Sequence, residues 1–156
     1  MDIDLHFKIQ NLLARYVQTI DDDRLEAWPD FFIEEGCYRI TTAENFERGL
    51  PLGMMYATSR AMLRDRVSAL RKANVYEAQR YRHVIGIPLI ERDATGVRAA
   101  TNFMVARIMH TGETMLFATG RYLDRVVINP QGEGEFAEKT VVLDSRQVDT
   151  LLAIPI

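Results

Sequence analysis

The stretch Val97-Arg-Ala-Ala-Thr-Asn-Phe-Met-Val-Ala-Arg-Ile-Met-His110 decides the architecture. In an extended chain Val97, Ala99, Thr101, Phe103, Val105, Arg107 and Met109 share one side, while Ala100, Met104, Ala106 and Ile108 share the other. A period of two is the signature of a strand, and this one is far longer than the usual ~5–6 residues, which calls for a bent sheet. The segments 81–92, 114–128 and 135–144 read the same way. Their separators, Asp93-Ala-Thr-Gly96, Thr111-Gly112 and Pro130-Gln-Gly-Glu-Gly134, are rich in turn formers and short enough to join antiparallel neighbours in a meander. Gly86, Pro88 and Gly120 are the candidate bends. In 114–128, Leu116, Ala118, Tyr122, Val126 and Ile128 oppose Met115, Phe117, Leu123 and Val127, so neither side is distinctly polar. A sheet with one wet face alternates more cleanly, so the pattern predicts an outer face covered by another chain.

Upstream of the strands the period changes. Leu5, Ile9, Leu12, Leu13, Tyr16, Val17 and Ile20 form one stripe of an amphipathic helix that stops at Asp21-Asp22-Asp23. A short second helix follows with Leu25, Trp28, Phe31 and Phe32 inward; Pro29 lies inside it and Gly36 ends it. Cys37 to Thr41 reads as a strand, Asn45 to Pro51 as a loop, and Met54 to Ala57 as a second strand. Ser59 caps a third helix carrying Met62, Leu63, Val67 and Leu70 inward. Helices first and a long meander after predict one α+β domain over 1–156, with N-terminal helices packed on a strongly curved, mainly antiparallel sheet. The apolar tail Leu151-Leu-Ala-Ile-Pro-Ile156 either docks on a partner or packs back on its own sheet.

Composition narrows the function classes. With 47% hydrophobic and 26% charged residues the 156-residue chain reads as an ordinary globular protein. A net charge of -3 and the lack of a basic block argue against nucleic acid. The acidic start Met1-Asp-Ile-Asp-Leu-His6 is unlike a signal peptide, and no apolar run reaches the ~20 residues of a membrane helix, so the expected location is cytoplasmic. Cys37 is the only cysteine, read as a buried small hydrophobe. One Cys with His6, His83 and His110 cannot build a two-Cys, two-His iron–sulfur cluster, and the histidines fall on separate elements, so no metal site is expected.

One chemical reading is a stand-alone pocket enzyme of the isomerase or dehydratase type. Tyr16, the Asp21–Asp23 run (Asp22 at its centre) and His83 would supply a phenol, a carboxylate base and an imidazole acid to an internal cavity. A binding module using the same cavity without chemistry is the third possibility. Against these, an acidic run between helices is ordinarily a solvated cap, and Tyr16 on an apolar stripe is ordinarily core. Arg66, Arg82 and Arg107 fall near apolar positions, where each must point outward or meet a carboxylate, either within the chain (Asp65 or Asp124) or across a subunit boundary.

The order of several motifs resembles the β (small) subunits of Rieske-type aromatic-ring hydroxylating dioxygenases along nearly the whole chain. They are Ile20-Asp-Asp-Asp23, Trp28-Pro-Asp-Phe-Phe32, Gly36-Cys-Tyr-Arg39, Met62-Leu-Arg-Asp-Arg-Val67 and Arg80-Tyr-Arg-His-Val84. Glu44-Asn-Phe-Glu-Arg-Gly-Leu-Pro-Leu52 is similar to salicylate hydroxylase small subunits. Phe103-Met-Val-Ala-Arg-Ile-Met-His-Thr-Gly-Glu113 is similar to terephthalate dioxygenase small subunits. Gly86-Ile87-Pro88 departs from the family, many of whose members carry an Asn there. The resemblance implies a cone-shaped fold shared with nuclear transport factor two-like and polyketide-cyclase-like proteins, and a structural, non-catalytic role in an oxygenase for a benzoate-type acid. It also implies an α/β hexamer with β subunits self-associating as a trimer. The Rieske [2Fe-2S] cluster and mononuclear Fe(II) would be on the α subunit, with electrons from NAD(P)H through a reductase. No cofactor is then expected on this chain, and Arg66, Arg82, His83 and Arg107 are the candidate interface residues.

Overall fold

The computed structural model describes residues 1–50, 53–73, 78–145 and 154–156. Helix α1 (Ile3–Asp21) starts where the Asp2 carboxylate accepts the Leu5 N–H at 3.0 Å. All seven apolar positions of its stripe are buried. Leu25–Phe31 forms a 3-10 helix rather than an α-helix; Pro29 has no N–H to give to an α-helical ladder.

Strand β1 (Phe32–Thr42) begins earlier than the sequence suggests, because Gly36 does not end a helix but sits in a bulge. There the register against the neighbouring strand slips between Phe32 and Cys37, and a Cβ on Gly36 would stand 2.9 Å from the Ile33 carbonyl oxygen. Residues read as loop contain a short helix, α2 (Ala43–Glu47), capped by Thr42, whose hydroxyl accepts the Asn45 N–H. Pro51, the end of that loop, lies outside the described residues. Strand β2 (Met55–Ala57) and helix α3 (Arg60–Ala73) follow, and Ser59 Oγ accepts the Met62 N–H at 3.2 Å. Leu63, Val67 and Leu70 face inward, but Met62 is outside. Its sulfur receives the backbone and side-chain donors of Thr58.

The segment 81–92 divides at Gly86–Pro88 into β3 (Gln79–Ile85) and β4 (Leu89–Asp93). Both pair with β5 (Gly96–Met109), one along each half of its length. Strands β6 (Thr114–Ile128) and β7 (Gly134–Leu143) complete a sheet of order β2-β1-β7-β6-β5-β3. The long strands form the expected antiparallel meander. The junction of β1 with β7 is parallel, which joins the helical half of the chain to its strand half.

At Gly120 the sheet folds tightly on itself: a Cβ there would lie 2.1 Å from the Val142 carbonyl oxygen. Val97, Ala99, Thr101, Phe103 and Val105 are buried, as their alternation predicts. Leu116 is not. Val105 pairs with Ala118 but Ala106 with Leu116, so Phe117 is an extra residue that turns Leu116 outward. Helix α1 lies against β3 and β7, and α3 against β1, so the helices cover the concave face. The convex face carries exposed Val84, Leu89, Met104 and Leu116. Ile154 and Ile156 are buried in the core, so the described end of the tail packs back on its own chain; residues 151–153 lie outside the described set.

Candidate functional site

Polar chemistry inside the fold falls into three groups. The first surrounds Tyr16. Its hydroxyl accepts the Trp28 indole N–H at 3.1 Å and donates to the Ile156 carbonyl oxygen at 3.2 Å. Tyr38 donates to that same oxygen at 2.7 Å and accepts the Ile156 N–H at 3.1 Å. The rings of Phe31, Phe32, Tyr122 and Phe136 stand edge-on to Tyr16. Burial raises the Tyr16 and Tyr38 phenols above their ordinary range, so both remain hydrogen-bond donors.

The second group joins α1 to β3. Asp21 Oδ1 lies 2.6 Å from His83 Nδ1, and its Oδ2 accepts the His83 backbone N–H at 2.9 Å. Both side chains are shielded from solvent, at 2% and 0% exposure. Asp22, the central residue of the run, is exposed and faces Arg24 at 3.6 Å; the carboxylate that meets the imidazole is its neighbour Asp21. The reason is helical phase: Asp21 is the last residue of α1, and Asp22 caps it. Asp23 pairs with Arg71 on α3. Tyr16 bonds Trp28 and Ile156, so the phenol of the pocket-enzyme reading stands apart from the Asp21–His83 pair.

The third group gave no local sequence signal. Lys139 Nζ stands 3.1 Å from both oxygens of Asp124, and both side chains have 0% exposure. The ammonium also lies 3.7 Å from the Tyr122 ring centroid, 4.3 Å from Phe136 and 4.5 Å from Tyr16. Burial pushes Asp124 up to about 6 and Lys139 down, while each charge favours the ionised form of the other. Asp124 is therefore partnered by a lysine, not by one of the arginines considered for it.

Those arginines divide. Arg82 is exposed on β3. Arg107 is half-buried, its guanidinium 4.8 Å from the Phe117 ring and one Nη donating to Met115 Sδ at 3.1 Å. Arg66 is half-buried on α3, near enough to Tyr38 for its charge to favour the phenolate against burial. Cys37 is half-buried, and burial raises its thiol above the ordinary value. Among the described residues no three His, Cys, Asp or Glu side chains converge to hold a metal ion. His83 Nδ1 is taken by Asp21, while His6 Nδ1 lies against the Asp2 carbonyl. The described residues therefore do not fit an iron or iron–sulfur centre. Among the described residues no helix is long and apolar enough to cross a membrane.

A curved sheet covered by helices on one face is the architecture of the cone class. The SnoaL-like domain family matches residues 2–134. Terephthalate 1,2-dioxygenase terminal oxygenase component subunit beta 1 of Comamonas sp is 49% identical over 144 residues, covering 92% of this chain and 93% of that one. The anthranilate 1,2-dioxygenase small subunit of Burkholderia cepacia is 39% identical over 156 residues, covering 99% and 96%. A crystal structure from Novosphingobium aromaticivorans, assigned as the beta subunit of an aromatic-ring-hydroxylating dioxygenase, superposes with a TM-score of 0.88 at 37% identity, covering 97% of each chain. The chain belongs to the SnoaL-like domain family and, with these relatives, to the small subunits of aromatic-ring-hydroxylating dioxygenases. It is accordingly a subunit of an oxidoreductase whose relatives work beside a larger subunit.

Proposed function

We propose that this chain is the structural, non-catalytic β subunit of a multicomponent Rieske non-haem iron oxygenase that hydroxylates an aromatic acid. The observation that carries the reading is 49% identity spread over 92% of the chain to a terephthalate dioxygenase β subunit. The anthranilate relative also acts on a benzoate-type acid, which supports an aromatic carboxylate as the substrate class. In this reading the larger α subunit holds the Rieske [2Fe-2S] cluster, the mononuclear Fe(II) and the substrate. Electrons come from NAD(P)H through a reductase, and the complex is cytoplasmic. The two subunits alternate in a hexamer, with the β subunits in contact as a trimer. Arg82 and the exposed apolar side chains beside it, Val84, Leu89 and Met104, are the surface best suited to a subunit contact. Of the other candidate interface residues, Arg66 and Arg107 are half-buried and His83 is buried on the opposite side of β3 from Arg82 and Val84.

Co-expression with a larger Rieske oxygenase subunit tests this. One complex should be isolated, with all iron on the larger chain and none on this one. Stoichiometric iron on the isolated chain, or no complex with such a partner, would overturn it. The pocket-enzyme reading needs Tyr16, a carboxylate of the 21–23 run and His83 on one cavity; Asp21 meets His83, Asp22 is exposed, and the Tyr16 hydroxyl is bonded to Trp28 and Ile156 instead.

A further inference from the structure

We propose that the convex face of the sheet docks a carboxylate-bearing, apolar face of the larger oxygenase subunit, and that Arg39 anchors the contact. Strand register places Tyr56, Arg39, Thr140, Leu123, Ala100 and Leu89 in one row across β2, β1, β7, β6, β5 and β4. Tyr38 and Ile40 are buried beneath the helices, so alternation turns Arg39, and the row with it, to the convex side. Tyr56 and Leu89, at the two ends of the row, are 60% and 67% exposed. A cleft of about 440 Å³ opens along it, lined by Phe46 of α2 together with Leu89, Leu123, Ala100 and Arg39.

The charges on this face do not balance. Arg98 meets Asp93 at 3.0 Å and Glu91 at 3.8 Å, and Arg125 meets Glu138 at 3.8 Å, so those two cations are neutralised within the chain. Arg39, Arg82 and Arg121 have no carboxylate partner among the described residues, and the Arg121 guanidinium lies 5.9 Å from the Phe46 ring centroid. Arg82 alternates with buried Tyr81 and His83, and Arg121 precedes buried Tyr122, so both share the convex side with Arg39. A chain of net charge -3 thus gathers unpaired guanidinium groups on one side of its sheet. The planar fork of arginine pairs carboxylates bidentately, and Arg and Tyr set among apolar side chains is the composition of an interface centre. The matching surface is apolar and carries carboxylates. Together with Val84 and Met104 the row extends the contact over the breadth of the sheet, ~24 Å at the usual strand spacing, enough for an interface of standard size. The choice of the larger subunit as occupant rests on the oxygenase reading above; the charge pattern does not.

The parent chain, Arg39→Glu and Arg15→Glu are each co-expressed with a larger Rieske oxygenase subunit, and dissociation is followed by sedimentation as salt is raised. Arg15, exposed on α1 with its guanidinium 5.9 Å from the Phe31 ring, carries the same change of charge on the helical side. The parent complex should weaken at least about tenfold between ~0.05 and ~0.5 M salt. Arg39→Glu should weaken it about 100-fold at the lower salt and flatten the salt dependence, while Arg15→Glu should match the parent. Equal behaviour of the two variants, or a parent complex indifferent to salt, overturns the proposal. So does an Arg39→Glu chain that loses self-association but keeps the larger subunit, because the occupant is then a second copy. Should Arg39→Glu not fold, Arg121→Glu, at an exposed position of β6, carries the same test. A parent chain that forms no complex removes the oxygenase reading and this occupant with it, whereas a complex that ignores Arg39 removes this proposal alone.

Discussion

Asp21 spends both carboxylate oxygens on one residue, His83: Oδ1 lies 2.6 Å from the ring Nδ1, and Oδ2 accepts the backbone N–H at 2.9 Å. This two-point contact fastens the last residue of α1 to the middle of β3, fixing the angle at which the helix crosses the sheet. It resembles the start of an acid–base site, yet its geometry is that of a clasp, since the second bond goes to main chain.

The clasp should matter more than its exposed neighbours. Asp21→Ala leaves a buried imidazole nitrogen and a backbone N–H without their acceptor, and should cost ~3–5 kcal/mol by urea unfolding. Asp22→Ala removes a solvated carboxylate and should stay within ~0.5 kcal/mol. Equal effects of the two substitutions would contradict the assignment of the buried role to Asp21.

The Lys139–Asp124 pair gives a test of charge burial. Lys139→Met strands a carboxylate in the core and should cost ~3–5 kcal/mol, while Lys139→Met with Asp124→Leu should recover most of that loss. Thermal unfolding of the two variants beside the parent gives the comparison, and a double variant no better than the single one would show that the pair does more than neutralise itself.

The same pair sets a pH dependence. Burial raises Asp124 from 3.8 to about 6, so between those values the folded chain holds a proton that the unfolded chain has released. Stability from this group is full below the unfolded value and is lost as pH rises through about 6. The unfolding free energy of the parent minus that of Asp124→Asn should therefore fall from pH 4 to about 6 and level off above. A difference that rises across this interval would mean that the attraction of Lys139 outweighs desolvation.

How much of this was legible in the sequence depends on range. The α1 stripe and the β5 alternation are local patterns, and every residue from Leu5 to Ile20 on that stripe is buried. Lys139 stands in Glu138-Lys139-Thr140, which reads as a wet strand, and its burial depends on Asp124 across the β6–β7 hairpin and on Tyr16 from α1. The parallel pairing of β1 with β7 joins residues about a hundred positions apart, beyond any periodicity. The Asp21/Asp22 distinction turns on one residue of helix phase, the least certain feature of a sequence reading. The bulge at Phe117 explains why Leu116 changed sides, since one extra residue reverses all alternation beyond it.

Gly120 should be irreplaceable. A Cβ would meet the Val142 carbonyl oxygen at 2.1 Å, and that atom is backbone held in the β6–β7 ladder. Gly120→Ala must force the two strands apart, at a cost above ~3 kcal/mol, in the upper range of overpacking effects. Gly112, with open space around its Cβ position, is the control. Its φ of +91° strains any side chain, so Gly112→Asn should cost only ~1 kcal/mol. Comparable melting temperatures for the two variants would show that the sheet can relax at Gly120.

The convex face carries the last prediction. Val84 and Met104 are direct cross-strand partners, 57% and 45% exposed, with Arg82 two residues along β3. A glutamate at Met104 would cost the isolated chain little, because its side chain already meets water there, and stability should change by no more than ~0.5 kcal/mol. In a complex that buries this pair the same carboxylate would be desolvated with apolar neighbours, so Met104→Glu should weaken association with the larger subunit at least ~100-fold. Sedimentation of the co-expressed pair separates the outcomes. An intact complex would place the subunit contact elsewhere on the chain, while loss of the complex together with loss of the fold would mean that Met104 is core.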